Sequence, residues 1–144
     1  MKIFLDTSSL FKLYHKESDS DTVKQIFTDN IITTVFLSEI AKIEFASAVW
    51  KKVRAQQMTS LQANDVLALF ESDFNKYTFV PLDSIIIEHA KDLVIKYGQQ
   101  GLRTLDSIQL ATAVSLNTHA SLFNTSDKLL NAFLIQESLP AGKL

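Results

Sequence analysis

Short apolar runs alternate with longer amphipathic stretches along this chain. The first run, Ile3-Phe4-Leu5, is continuous and stops abruptly at Asp6-Thr7-Ser8. An unbroken run of this kind is the pattern of a strand buried on both faces. Ser8 to His15 then carries Leu10, Phe11, Leu13 and Tyr14 at helical spacing, and Val23, Ile26 and Phe27 predict a helix from Asp21 to Phe27. Ile31-Ile32-Thr33-Thr34 is β-branched throughout and reads as a second strand. Phe36 to Arg54 and Thr59 to Tyr77 read as long helices, and Thr78-Phe79-Val80, halted by Pro81, as a third strand. A helix from Asp83 or Ser84 to Tyr97 follows, with Gly98 suited to the left-handed position beyond its end. Gly101 opens a loop into a helix rich in small residues through Ala113, and Ala120 to Asn124 is a fourth strand. Phe133-Leu134-Ile135 either finishes a last helix or forms an edge strand. Strands alternating with helices predict an α/β fold, its mostly parallel sheet covered on both faces.

Composition narrows the class. The chain has 144 residues, 47% hydrophobic, with 3 Gly and 2 Pro, which excludes a low-complexity or disordered chain and suits one domain over residues 1–144. Without cysteine there is neither a disulfide framework nor a thiolate zinc site. No signal-peptide stretch opens the chain, and charges interrupt every apolar run before membrane-spanning length, so a soluble cytoplasmic protein is expected. A net charge of −2 does not favour nucleic acid, so such a partner would need local basic patches or metal ions.

The acidic residues change the picture. Asp6 and Asp127 stand just after the first and fourth strands, at the strand ends where α/β folds bind ligands. Glu44 falls in the middle of an apolar helical stripe of Leu37, Ile40, Ala41 and Ala48, whereas Glu39 pairs with Lys42 on a polar flank. Asp106 begins a helix. Each acid has an ordinary explanation: Asp6 and Asp127 as helix caps, Asp106 with Gln109 as a capping box, Glu44 reaching water from a helix edge. Together they are better explained by one acidic pocket. Grouped carboxylates stay ionised only with positive charge between them, and Mg²⁺ or Mn²⁺ suits carboxylate oxygen. Such ions can activate water against a phosphodiester, with Thr7, Ser8, Thr125 and Ser126 supporting the carboxylates by hydrogen bonds. His15, His89 and His119 are scattered, and neither a Gly-rich phosphate loop nor a Gly-x-Ser-x-Gly nucleophile is present.

Four segments carry a resemblance. Ile3-Phe4-Leu5-Asp6-Thr7-Ser8, Ile43-Glu44-Phe45-Ala46-Ser47-Ala48, Leu105-Asp106-Ser107-Ile108-Gln109-Leu110-Ala111-Thr112-Ala113 and Asn124-Thr125-Ser126-Asp127-Lys128 resemble, in order, the motifs of the PIN domain. The compact length is similar to the VapC-type toxins of toxin–antitoxin modules. The resemblance implies a three-layer α/β/α sandwich around a parallel sheet and endoribonuclease activity dependent on Mg²⁺ or Mn²⁺. It makes Asp6, Glu44, Asp106 and Asp127 the catalytic acids, with Asp6, Asp106 and Asp127 as metal ligands and Ser8 as a supporting hydroxyl. It also implies an RNA substrate, a homodimer and a cognate antitoxin protein, with no membrane association. Lys12, Lys16, Lys51, Lys52, Arg54, Arg103 and Lys128 are candidates for holding the phosphate backbone. The basic end of the long helix also complements its macrodipole, and the aromatics Phe11, Tyr14, Phe45, Trp50, Phe70 and Phe74 suit core packing or an antitoxin groove. The alternatives are a PIN nuclease of RNA processing without a toxin role, and a PIN-like binding module without catalysis. A retained set of four costly carboxylates argues against the second.

Overall fold

Ile3, Phe4 and Leu5 are fully buried because the strand Lys2–Leu5 (β1) has a parallel neighbour on each side. A computed structural model describes residues 1–142, so the last two positions of the expected 1–144 domain lie outside the described residues. The other strands are Thr34–Ser38 (β2), Thr78–Val80 (β3) and Leu122–Asn124 (β4), in the order β3-β2-β1-β4, all parallel. Ile3 lies opposite Val35 and Leu122, and Phe4 opposite Phe36 and Phe123. The helices are Thr7–Phe11 (α1), Ser20–Asp29 (α2), Ala41–Arg54 (α3), Ser60–Ser72 (α4), Ser84–Tyr97 (α5), Thr104–Ser115 (α6) and Lys128–Gln136 (α7).

Successive β1 side chains point to opposite faces and so feed two separate cores. Ile3 and Leu5 pack with Leu10, Phe11, Phe45, Val49 and Phe70 from α1, α3 and α4, and Ile26 and Phe27 of α2 lie against the same side. Phe4 packs with Leu93, Leu110, Leu130 and Phe133 from α5, α6 and α7. The result is the expected three-layer α/β/α sandwich around a parallel sheet. Among the described residues, no helix is long and apolar enough to cross a membrane.

Several boundaries differ from the sequence expectation. The second strand is Thr34–Ser38, not 31–34, and α3 begins at Ala41 rather than Phe36. Ile31 is exposed, whereas Leu37 is buried within the sheet. Pairing with β1 and β3 therefore outweighs both the β-branched run and the helical periodicity through Phe36-Leu37-Ser38. Gly98 is right-handed at φ −57°, and the left-handed turn falls on Gly101 at φ 94°. A short 3₁₀ turn over Gly98–Gln100 moves the chain reversal three residues on. Phe133-Leu134-Ile135 lies inside α7, while Ala141 makes the isolated parallel bridge to Phe123 at the sheet edge.

Phe45 anchors the α1/α3/α4 core. Its ring lies 5.5 Å from Phe11, 5.3 Å from Tyr14 and 4.1 Å from Phe70, centroid to centroid. Phe45→Ala should therefore lower unfolding free energy by about 3–5 kcal/mol in urea denaturation. A loss below about 1 kcal/mol would show that the neighbouring rings refill the space.

Candidate active site

Asp6 is the last residue before α1 and only 5% exposed, although it follows a strand with no polar side chains after Lys2. Its Oδ1 accepts the Ser9 N–H at 3.1 Å, so it does cap α1. The cap is only part of its bonding. The Ser8 hydroxyl lies 2.8 Å from each carboxylate oxygen, and Thr125 Oγ1 donates to Oδ2 at 2.7 Å. Ser8 Oγ in turn accepts the Ser126 N–H at 3.0 Å, and Thr125 Oγ1 accepts the Asp127 N–H at 3.0 Å. The Asp6 N–H bonds to the Asn124 carbonyl at 3.2 Å, and Ser9 Oγ donates to Asn124 Oδ1 at 2.7 Å. The ends of β1 and β4 are thus sewn together around one carboxylate by the Ser8 and Thr125 hydroxyls. Ser126 contributes through its backbone.

Glu44 reaches toward the same region from α3. The core stripe of that helix is Ala41, Phe45 and Val49, and Glu44 with Ala48 lies along its edge, lining a cavity. Glu44 Oε1 accepts from Thr7 Oγ1 at 3.0 Å and from Gln109 Nε2 at 2.6 Å. Asp106 is half-buried in the first turn of α6, but Arg103 is the N-cap and has no side-chain capping bond. The expected Asp106–Gln109 capping box is absent: Gln109 spends its amide on Glu44 and Thr7 instead. That contact was invisible in the sequence, because a three-residue spacing suits both a capping box and one shared helix face. Asp127 caps α7, its Oδ1 accepting the Leu130 N–H at 2.8 Å, and it also lines the cavity.

The acids are linked electrostatically in a chain. Burial pushes the Asp6 carboxyl up to about 6, against hydrogen bonds from Thr125, the Ser9 backbone and Ser8, and the Glu44 charge adds to the rise. Glu44 is raised by burial and by the Asp106 charge, with the Gln109 and Thr7 bonds opposing. Asp106 is raised by burial and by the Asp127 charge, partly offset by Arg103. The charge of Glu44 thus acts on Asp6, that of Asp106 on Glu44 and that of Asp127 on Asp106.

A cavity of about 630 Å³ is lined by two of the four acids, Glu44 and Asp127, together with Ser8, Ser126, Lys12, Lys51 and Lys52. Two of these lysines are not free. Lys12, only 7% exposed, is ion-paired with Asp19 and, at 2.7 Å, with Glu17, and Lys52 pairs with Glu17 at 2.9 Å. Lys51 is exposed and has no ion pair among the described residues. Phe11, Tyr14, Phe45, Phe70 and Phe74 form a packed ring cluster, while Trp50 stays partly exposed.

A model of the PIN domain matches residues 3–133. The chain belongs to the PIN-domain family. None of the curated proteins compared with it matches. Among solved structures, FitAcB from Neisseria gonorrhoeae superposes with a TM-score of 0.71 at 17% identity, covering 98% of this chain and 96% of that one. VapC20 from Mycobacterium tuberculosis, described as a sarcin-ricin-loop-cleaving toxin, gives 0.67 at 17% identity, covering 90% and 93%. VapBC2 from Rickettsia felis, bound to a promoter DNA fragment, gives 0.64 at 16% identity, covering 100% and 99%. At these identities the likeness is one of PIN fold.

PIN domains generally use divalent metal ions. The residues here fit such an ion chemically: the donors are hard oxygens, and three carboxylates are each raised by burial and by a neighbour's charge, a cost that a cation among them reverses. Among the described residues, no three acids or histidines converge closely enough to chelate an ion together as they stand. Direct chelation by three of them therefore requires side-chain movement.

The elevated Asp6 carboxyl predicts a pH signature. Between its ordinary 3.8 and about 6 the folded state binds the extra proton, so this contribution to stability is complete below that window and lost as pH rises through it. In EDTA, wild-type unfolding free energy minus that of Asp6→Asn should fall by up to about 3 kcal/mol from about pH 4 to about pH 7. A pH-independent difference would mean that Asp6 is not held in a desolvated state.

Proposed function

We propose that this protein is a metal-dependent endoribonuclease, the toxin of a toxin–antitoxin module, cleaving RNA phosphodiester bonds in the cytoplasm. The observation that carries the reading is the linked acidic set Asp6–Glu44–Asp106–Asp127 beside an open, lysine-lined cavity, in a chain that belongs to the PIN-domain family. In this reading Asp6, Asp106 and Asp127 hold Mg²⁺ or Mn²⁺, and Glu44 orients the attacking water. When bound, the ion supplies positive charge that acidifies water and offsets charge on the leaving oxygen. Ser8 and Thr125 fix the Asp6 carboxylate by donating to it, while Thr7 and Gln109 fix one oxygen of Glu44.

Lys51, Lys52, Arg54, Arg103 and Lys128 are assigned to the RNA phosphates. Lys12, also a candidate from the sequence, is left out, because Glu17 and Asp19 already use its charge, and burial, which alone would lower its pKa, is outweighed by these two partners. Lys52 contributes less than Lys51, since it shares Glu17. The resemblance in shape to VapC20 and to the matched chain of the VapBC2 structure supports the toxin reading, with a cognate antitoxin and a homodimer as its partners.

Asp6→Asn should abolish both RNA cleavage in Mn²⁺ or Mg²⁺ and growth arrest on induction, while circular dichroism remains that of the wild type. EDTA should stop cleavage, and added Mn²⁺ should restore it. Cleavage that persists in EDTA or in Asp6→Asn defeats the mechanism. Separately, Lys51→Ala should weaken binding of single-stranded RNA and flatten its log–log salt dependence by about 0.7, the loss of one phosphate contact. An unchanged slope would place the RNA elsewhere.

A further inference from the structure

Gln109 is 3% exposed, one helical turn beyond Asp106 on α6, in a helix otherwise buried through small and apolar side chains. Its Nε2 donates to Glu44 Oε1 at 2.6 Å and lies 3.1 Å from Thr7 Oγ1. Its own Oε1 is buried with no hydrogen-bond partner among the described residues. An orphaned buried carbonyl is a stability cost that an apolar side chain of the same length would avoid. Packing therefore does not account for a glutamine here.

The geometry at Glu44 does. Both donors, Thr7 and Gln109, converge on Oε1, and Oε2 has no hydrogen-bond partner among the described residues. Glu44 lines the cavity together with Ser8 and Asp127. One oxygen is thus clamped from two elements, α1 and α6, and rotation of the carboxylate is restricted. Asp106 and Gln109 share a rigid helix, so the clamp also fixes the offset between Glu44 on α3 and Asp106 on α6. We propose that Gln109 is a positioning residue for RNA cleavage, acting through Glu44 by pinning Oε1 so that Oε2 is held toward the substrate. The inference rests on the ribonuclease reading of this site.

The experiment compares steady-state cleavage of a short RNA in Mn²⁺ by wild type, Asp106→Asn, Gln109→Met, Glu44→Gln and the Gln109→Met/Glu44→Gln double variant, with Tm measured for each. Equal cleavage by wild type and Asp106→Asn defeats the ribonuclease reading itself. Given a difference there, Gln109→Met should reduce kcat about 10–100-fold, the usual effect of removing a supporting bond in such a site, with KM within about two-fold. Its Tm should change little, since losing the unpaired carbonyl offsets losing the bond to Glu44. In the Glu44→Gln background the same change should lower kcat no further, because its target is already altered. Full additivity with Glu44→Gln, an unchanged kcat, or a lowered Tm with kcat and KM lost together overturns the proposal, the last outcome marking Gln109 as packing only.

Discussion

Placing an ionised carboxylate at the buried end of a central strand is the constraint that most of this structure answers. Asp6 cannot reach bulk water, so the protein must supply what water would have supplied. It does so with Ser8, Ser9 and Thr125, three short groups from α1 and from the end of β4. Those donors have to arrive in fixed places, which requires β1 and β4 to be adjacent and parallel and α1 to turn immediately after the strand. Even so, burial outweighs the bonds and the carboxyl remains elevated. The site is left short of positive charge.

The same economy appears at the helix ends. Asp6 and Asp127 each cap a helix through Oδ1, and at Asp6 the other oxygen accepts from Thr125 and Ser8. Capping and chemistry are compatible because a cap uses only part of a carboxylate's accepting capacity. The cap orients the side chain, and the helix N-termini place partial positive charge beside an acidic cluster. The cap that the sequence offered at these two positions therefore does not exclude a site there. At Asp106 the cap was a false lead, because its loop supplies Arg103 and its neighbour Gln109 is engaged across the sheet.

Legibility followed the kind of signal. Ile3-Phe4-Leu5 stood out because burial on both faces leaves no alternation, and the acids stood out because each breaks or ends an apolar pattern. The second strand was misplaced because Phe36, Leu37 and Ser38 fit either period, and only the neighbouring strands decide between them. Lys12 looked like a phosphate contact because a basic residue near a site carries no mark of its partners. Glu17 and Asp19 lie only five and seven positions away, but a tight turn must first fold them back. Gln109 was hidden for a related reason: its partner lies 65 residues upstream, a separation that no local pattern encodes.

The stitching of Asp6 to Thr125 and of Ser8 to Ser126 spans 119 and 118 residues of chain. A contact of that range forms late, since everything between its ends must first be ordered or looped out. During synthesis, the amino-terminal half can organise β1, β2 and the aromatic cluster of α1, α3 and α4 while Asp6 still lacks the partners that orient it. Asp127 emerges only when most of the polypeptide has been made. The bonded arrangement around Asp6 is thus completed near the end of translation rather than growing in step with chain length. This delay needs no additional regulator, only the order of the strands.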